Sequence, residues 1–163
     1  QKWFETNLLK TLQTFDPSRP IYVEAESRKI GNLHVPQALI ERMRSSECLN
    51  IEASLDARVD FLLKDYDYFL TRPDFVIQRL EALRTLQSRE ILSRWEAFIH
   101  AGEWPALVRE LLELHYDPLY RGSQNRNFIG MQDSPNFTTD DLSTAGIARL
   151  AAEIVQSRTA QID

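Results

Sequence analysis

Two kinds of apolar spacing alternate over the first 70 residues, and this alternation limits the folds open to the chain. Helical stripes, with apolar residues three and four positions apart, occupy about 2–15, 36–45 and 54–70. Short runs of strand-forming residues separate them at 20–25 and 48–53. Because helices that alternate with strands are typical of α/β domains with a parallel sheet, we predict that class here.

From residue 71 onwards the spacing is helical almost throughout. Three stripes predict a helical subregion over about 73–117, in which the last helix stops at Asp117-Pro118. A polar loop is predicted at 121–137, a short strand at 136–139 and a last helix at 143–157. Two or three strands are too few for a stable open sheet, so we expect the parallel sheet to be incomplete.

The helical spacing of apolar residues begins at the very first residues of the sequence. The chain begins Gln1-Lys2-Trp3-Phe4, without a methionine, and Phe4, Leu8 and Leu12 form one apolar stripe. We therefore expect this sequence to be the C-terminal part of a longer protein whose N-terminal strands complete the sheet.

Charge and cysteine content argue against several classes of protein. A net charge of −5 disfavours a generally basic nucleic-acid binder, although it leaves room for a local basic patch. The single cysteine, Cys48, cannot form an internal disulfide or a cysteine cluster, which favours a reducing compartment such as the cytoplasm. No apolar run approaches the roughly 18 residues of a membrane span. The three histidines are far apart in sequence, so we predict no metal site of the zinc type.

The main candidate site lies in the segment Arg19–Gly31. The strand predicted within it ends in two carboxylates, Glu24 and Glu26, which would share one face. Ligands collect at the carboxyl ends of strands in open α/β sheets, so we predict catalytic carboxylates that hold Mg²⁺ or a water near a phosphate. Arg28 and Lys29 follow at once and suit contact with phosphate. The alternative is that all four are solvated surface charges.

A second candidate lies at the start of the predicted polar loop. Tyr120, Arg121 and Arg126 combine a ring that can stack on a base with cations that can contact a phosphate backbone, and no acid occurs from Arg121 to Gln132. Such a loop suits a strand of RNA, with an ordinary polar surface loop as the alternative. No Gly-x-x-x-x-Gly-Lys-Ser/Thr phosphate loop occurs in the sequence.

Several motifs extend over nearly the whole chain and together resemble one family. They are the opening Gln-Lys-x-Phe-Glu, the run Pro20–Gly31 with its Glu-x-Glu-Ser-Arg-x-Ile-Gly stretch, His34-Val35-Pro36, Glu41–Arg44, His115–Tyr120 and Ser123-Gln124. The family that they resemble is that of the tRNA 2-selenouridine synthases.

This resemblance implies that residues 1–163 are the C-terminal part of a P-loop NTPase-like domain, with an incomplete P-loop-type parallel sheet. The rhodanese domain with its catalytic cysteine and the phosphate loop would be missing from this stretch, and Cys48 does not match that cysteine. The implied enzyme is a selenotransferase. It geranylates the wobble 2-thiouridine of a tRNA from geranyl diphosphate and then replaces the geranylthio group by selenium from selenophosphate. We expect the fragment alone to be inactive.

The resemblance also implies roles and partners. Glu24 or Glu26 would organise Mg²⁺ or water near a diphosphate, Arg28 and Lys29 would neutralise phosphate, and the Tyr120-Arg121 loop would help to hold the anticodon arm. The partners would be tRNA and an enzyme that supplies selenophosphate, with no membrane and no tightly bound cofactor. A P-loop small-molecule kinase and a helical protein-interaction module are the alternatives.

Overall fold

Helices dominate the computed structural model, which describes residues 1–159 and divides into two units. The first unit comprises Gln1–Leu49 and Gly122–Pro135, and the second comprises Asn50–Arg121 and the residues after Pro135. The predicted class is confirmed, because a parallel pair of strands accompanies a large helical portion.

The first unit contains two helices joined through a small hairpin. Helix α1 spans Lys2–Gln13 and helix α2 spans Gln37–Arg44, close to their predicted positions. Between them, strand β1 (Lys29–Ile30) pairs antiparallel with strand β2 (Leu33–His34). The hairpin therefore starts at the cations that the sequence singled out.

Gly31 shapes the turn of this hairpin. Its φ of 59° is left-handed, which glycine adopts at little cost. A two-residue turn whose first central residue is left-handed matches the twist of a hairpin. Gln1 then joins the hairpin to the start of α1, since its side-chain amide accepts a hydrogen bond from the His34 N–H (3.0 Å) and donates one to the His34 carbonyl (2.8 Å).

The second unit combines one strand pair with a group of helices. Strand β3 (Asn50–Glu52) runs parallel to strand β4 (Asn136–Thr138), with Ile51 opposite Phe137, so both short strands predicted here are confirmed. The helices that belong wholly to this unit are α3 (Leu55–Asp65), α4 (Asp67–Leu70), α5 (Pro73–Leu80), α6 (Arg89–Ala101), α7 (Trp104–Leu111) and α9 (Thr144–Thr159), with a 3₁₀ turn at Glu81–Leu83 and a π turn at Leu112–Tyr116. Helix α8 (Asp117–Asn127) begins in this unit, and its residues from Gly122 onwards belong to the first unit.

Trp95 occupies the centre of the core of the second unit and is fully buried. Its indole N–H donates a hydrogen bond to the Glu110 carboxylate at 3.0 Å, which satisfies the one polar group of the ring. The surrounding buried residues come from α5, α6 and α7: Leu80, Leu92, Ile99 and Leu107. Burial of these side chains explains why the helical periodicity of this region was readable from the sequence.

The strand predicted at 20–25 was wrong. Residues 20–27 have no regular structure, and Ile21, Tyr22 and Val23 expose 48%, 47% and 57% of their surface. A strand forms only where a neighbour satisfies its N–H and C=O groups. Within residues 1–159, the paired strands are β1 with β2 and β3 with β4, and neither pair includes this segment.

The predicted helix end at Asp117-Pro118 and the loop from residue 121 were also wrong. The π turn leads directly into α8, so residues 121–127 are helical. Pro118 lacks the N–H that would bond the Leu114 carbonyl in a continuous α-helix. That carbonyl instead accepts a hydrogen bond from the Gln87 side-chain amide at 3.0 Å. A contact from the loop that precedes α6 thus compensates for the proline, and the chain stays helical.

Candidate functional site

The two predicted catalytic carboxylates lie in the first unit, on the irregular segment before the hairpin. Glu24 and Glu26 are both exposed, and the Glu26 carboxylate accepts a hydrogen bond from the Ser27 N–H at 2.8 Å. The Glu26 N–H bonds to the Glu24 carbonyl, also at 2.8 Å, which forms a tight local turn. The strand that was expected to align the two carboxylates is therefore replaced by a turn.

Arg28 and Lys29 have an ordered backbone and exposed side chains. The Arg28 carbonyl accepts a hydrogen bond from the Val35 N–H at 2.8 Å, and Lys29 pairs with His34 across the hairpin. Neither side chain forms an ion pair or hydrogen bond with another described residue. The hairpin thus presents two adjacent cations to solvent, as an anion-binding surface requires.

Helix α8 carries the other predicted residues. Tyr120 stacks on Tyr116, with ring centroids 5.5 Å apart and an angle of 14° between the planes. Arg121 follows it in the second unit, whereas Arg126 belongs to the first. The Arg126 guanidinium lies 3.3 Å from where a Cβ on Gly122 would stand, so glycine leaves it room.

A polar hollow of about 380 Å³ lies in the second unit, where β3 gives way to α3. The carboxyl ends of parallel strands are the usual place for ligands in α/β domains. Four charged side chains line this hollow, together with Ala53 and Leu55: Arg58, Glu113, Asp117 and Arg121. Of these, only Arg121 was among the site residues predicted from the sequence.

Arg58 and Asp117 form a two-pronged ion pair at the wall of the hollow. Both guanidinium nitrogens donate to the carboxylate, at 2.9 and 2.6 Å, and the side chains are 26% and 20% exposed. Hydrogen bonding to Arg58 lowers the pKa of Asp117, the charge of Arg121 adds to this effect, and burial opposes it. The same hydrogen bonds raise the pKa of Arg58. The pair is therefore charged on both sides and geometrically fixed.

The sequence context suggested a ligand site for one residue of this pair, Arg58, and not for its partner. Arg58 follows a predicted strand, in a helix whose first turn is capped by Ser54, which accepts a hydrogen bond from the Ala57 N–H. Asp117, by contrast, was interpreted as part of a helix stop. The two residues are 59 positions apart, and only the tertiary structure shows that they meet.

An apolar cavity of about 680 Å³ also opens in the second unit, and Arg58 lines both this cavity and the hollow. Among residues 1–159, no group of three or more His, Cys, Asp or Glu side chains is placed to hold a metal ion. The described helices also include none with the length and apolar character needed to cross a membrane.

Comparison with known proteins points to one family. The sequence model of the tRNA 2-selenouridine synthase AAA domain matches residues 1–94. The tRNA 2-selenouridine synthase of Nitrosomonas europaea is 28% identical over 166 aligned positions, which cover 76% of this chain and 42% of that protein. The enzyme of the same name from Alcanivorax borkumensis is 30% identical over 149 positions, covering 72% of this chain and 40% of that protein.

A third relative, the tRNA 2-selenouridine synthase of Cupriavidus necator, is 29% identical over 133 positions, covering 63% of this chain and 35% of that protein. The chain thus spans about two fifths of the length of the curated relatives that it matches. No solved structure matches it significantly.

Proposed function

Because this chain belongs to the tRNA 2-selenouridine synthase AAA domain family, we propose that the whole protein converts a wobble 2-thiouridine of tRNA into 2-selenouridine. The observation that carries this proposal is the family match over residues 1–94. That stretch contains Glu24, Glu26, the hairpin cations Arg28 and Lys29, and Arg58 of the polar hollow, whereas Tyr120, Arg121 and Arg126 lie outside it.

The proposed reaction has two steps, which make the whole protein a selenotransferase. In the first step, the sulfur of 2-thiouridine attacks C1 of geranyl diphosphate, and diphosphate leaves. In the second step, the selenium of selenophosphate attacks C2 of the base, and the geranylthiolate leaves. Water then cleaves the Se–P bond, which releases phosphate and leaves selenium on the base.

Glu24 and Glu26 are the carboxylates that we assign to the diphosphate. Mg²⁺ is usually bound through one or two carboxylates, several waters and the phosphates of the substrate. Two exposed carboxylates one residue apart fit that donor set, although they do not form a complete protein cage. When bound, Mg²⁺ would neutralise charge on the leaving diphosphate.

The tRNA backbone is assigned to the first unit on charge grounds. This unit contains 8 Lys and Arg against 7 Asp and Glu, whereas the second contains 11 against 17. Phosphates are repelled least by the first unit, where Arg28, Lys29 and Arg126 are exposed. In the second unit, Tyr120 supplies an aromatic ring and Arg121 supplies a cation, and we assign both residues to contact with the anticodon arm.

The remaining proposed partner is an enzyme that supplies selenophosphate, and the proposed location is the cytoplasm.

The whole protein, tRNA with a wobble 2-thiouridine, geranyl diphosphate and selenophosphate provide the test. Mass spectrometry of the nucleosides should show the geranylated base with geranyl diphosphate alone and the selenated base once selenophosphate is added. The Glu24→Gln/Glu26→Gln double variant should slow geranylation by about tenfold or more while tRNA affinity stays unchanged. Asp133→Asn, an exposed acid of the same unit, is the control.

An unaltered tRNA in both reactions would overturn the proposal. Phosphate transfer from ATP to a small molecule, without any change in the nucleoside, would support the kinase instead. Normal geranylation by the double glutamate variant would remove Glu24 and Glu26 from the site while leaving the overall function in place.

A further inference from the structure

One continuous stretch, residues 113–121, supplies most of the charged wall of the polar hollow. It starts at Glu113 in the π turn and ends at Arg121 in α8. Single π turns within helical segments are frequent at functional sites. The Arg58–Asp117 pair fastens this stretch to α3, so its side chains keep a defined position around the hollow.

Two opposite charges line the hollow without pairing. Glu113 and Arg121 are exposed, and neither takes part in an ion pair or side-chain hydrogen bond with another described residue. The hollow therefore offers the Glu113 carboxylate as an acceptor and the Arg121 guanidinium as a donor. A ligand whose edge carries both a donor and an acceptor can bind the two side chains at once.

The charge of the hollow disfavours an anionic ligand. Its two arginines are balanced by two carboxylates, in a unit whose net charge is −6. The start of α3 is also occupied, because the Asp140 carboxylate accepts a hydrogen bond from the Ser54 N–H at 3.2 Å, where a phosphate would otherwise bind. An uncharged ligand with donors and acceptors, such as a nucleobase, suits this hollow better than a phosphate.

Tyr116 supplies an aromatic ring beside the hollow. It directly precedes Asp117, is 52% exposed and stacks on Tyr120 with ring centroids 5.5 Å apart. It also contributes to the raised pKa of Arg58, as expected of a hydroxyl close to the wall of the hollow. Proteins recognise unpaired RNA bases by stacking them on aromatic rings and bonding to their edges. Ring, donor and acceptor are all present here.

We propose that the polar hollow binds one unpaired base of the anticodon loop, which stacks on Tyr116 and bonds through its edge to Glu113 and Arg121. The inference rests on the proposed function, which makes tRNA the substrate. The reacting base has to meet the diphosphate assigned to Glu24 and Glu26, so the base in the hollow is a flanking base that is not modified. The hollow thus selects tRNA by the identity of a flanking base.

Anticodon stem-loops that each lack the base of one loop nucleotide test the stacking contact. Fluorescence anisotropy measures their affinity for the whole protein. Removing one flanking base should weaken binding to the wild type by about tenfold or more, because its stacking is lost. The same removal should change the affinity of Tyr116→Ala by less than about threefold, because the ring is already absent.

Two tyrosine variants are the controls for this coupling. Tyr116→Phe keeps the ring and should respond to the missing base as the wild type does. Tyr68→Ala removes a ring that is also 52% exposed in the same unit but does not line the hollow, and it should respond in the same way.

Replacing the flanking base by each of the other three tests the edge contacts. The wild type should prefer the native base by about tenfold or more, since a wrong edge leaves donors or acceptors unpaired. Glu113→Gln should flatten this preference, because an amide can donate where the carboxylate only accepts. This variant changes an exposed side chain at constant size, so it keeps the test decisive if Tyr116→Ala is unstable. Glu153→Gln, exposed on α9, should keep the preference.

The outcomes separate this inference from the proposed function. If no flanking base changes the affinity, or its removal has equal effects in the wild type and Tyr116→Ala, the base site is overturned even if tRNA is selenated. Coupling confined to the wobble base would also overturn it, since that base belongs to the reaction. Coupling at a flanking base would support it even if no selenated nucleoside forms.

A free nucleoside is the other possible source of a base. Calorimetry of the whole protein with each of the four ribonucleosides covers this case. Binding of one of them as tightly as the stem-loop, without coupling in the loop, would assign the hollow to a small molecule and overturn the inference.

Discussion

Arg58 and Asp117 are the two residues whose contact most shapes the polar hollow. Arg58 donates two hydrogen bonds to one carboxylate, and both side chains are more than two thirds covered by protein. Removing one partner leaves the other charge partly buried without its hydrogen bonds, which costs more than the pair itself contributes. The pair therefore holds α3 and the start of α8 in place around the hollow.

We expect Asp117→Asn to lower the free energy of unfolding by about 1–3 kcal/mol at pH 7, because Arg58 loses its charged acceptor. Equilibrium urea unfolding measures the change. The control is Glu81→Gln, which removes one partner of the exposed pair with Arg84. That loss should stay below about 1 kcal/mol, since water screens exposed pairs. Equal losses for the two variants would contradict the special role of the pair.

The pH dependence of stability follows from the lowered pKa of Asp117. In the unfolded chain this carboxyl titrates near its ordinary value of about 3.9, and in the folded protein it titrates lower. Its contribution to stability is therefore complete above about pH 5 and is lost as the pH falls through the folded pKa. The difference in unfolding free energy between wild type and Asp117→Asn should shrink over that acid range. A difference that is the same at pH 7 and in acid would refute the assignment.

At the scale of elements, one helix end follows from a local signal and another does not. Helix α6 ends at Gly102, whose φ is 71°. The N–H groups of Gly102 and Glu103 bond to the carbonyls of Ile99 and Phe98, as in a Schellman motif. By contrast, Pro118 was expected to stop a helix, and Gln87 from elsewhere in the fold allows the helix to continue.

We expect Gly102→Ala to lower the free energy of unfolding by about 1 kcal/mol, because a Cβ is strained at this left-handed φ. No other atom lies within 4 Å of where that Cβ would stand, so a steric clash makes no contribution. Gly102→Asn is the matched variant, and its free energy of unfolding should fall by less, since asparagine tolerates this conformation better. Thermal unfolding of both variants checks the order, and a larger loss for asparagine would contradict the backbone explanation.

At the scale of the whole molecule, the negative charge is concentrated in one unit. The first unit has a net charge of +1 and the second of −6, from 8 against 7 and 11 against 17 basic and acidic residues. A chain that is acidic overall can therefore still offer a surface to RNA. The net charge of the chain argued against the binding of nucleic acid, whereas the distribution of charge between the two units is compatible with such binding.

Replacing both Arg28 and Lys29 by alanine should weaken tRNA binding and reduce the slope of log affinity against log salt by roughly 1 for each phosphate that the protein no longer neutralises. The matched control is Lys64→Ala/Arg89→Ala, which removes two exposed cations from the acidic unit. Titration of the whole protein with tRNA at several salt concentrations gives both slopes. An equal reduction in the two double variants would show that only the total charge matters.

The sequence by itself determined the local features and the family. The positions of most helices, the strands β3 and β4 and the α/β class follow from spacing and propensity over a few neighbouring residues. The Glu-x-Glu-Ser-Arg-x-Ile-Gly stretch likewise indicated the family that the match over residues 1–94 then established.

The tertiary structure alone decided what depends on distant partners. Ile21–Val23 has strand propensity but no pairing neighbour among the described residues, so it stays irregular and exposed. Asp117 looked like the end of a helix and became the partner of Arg58, 59 positions away. The apolar cavity, likewise, is built by helices distant in sequence. A hydrogen bond or a buried contact requires two partners, and the local sequence around one partner does not identify the other.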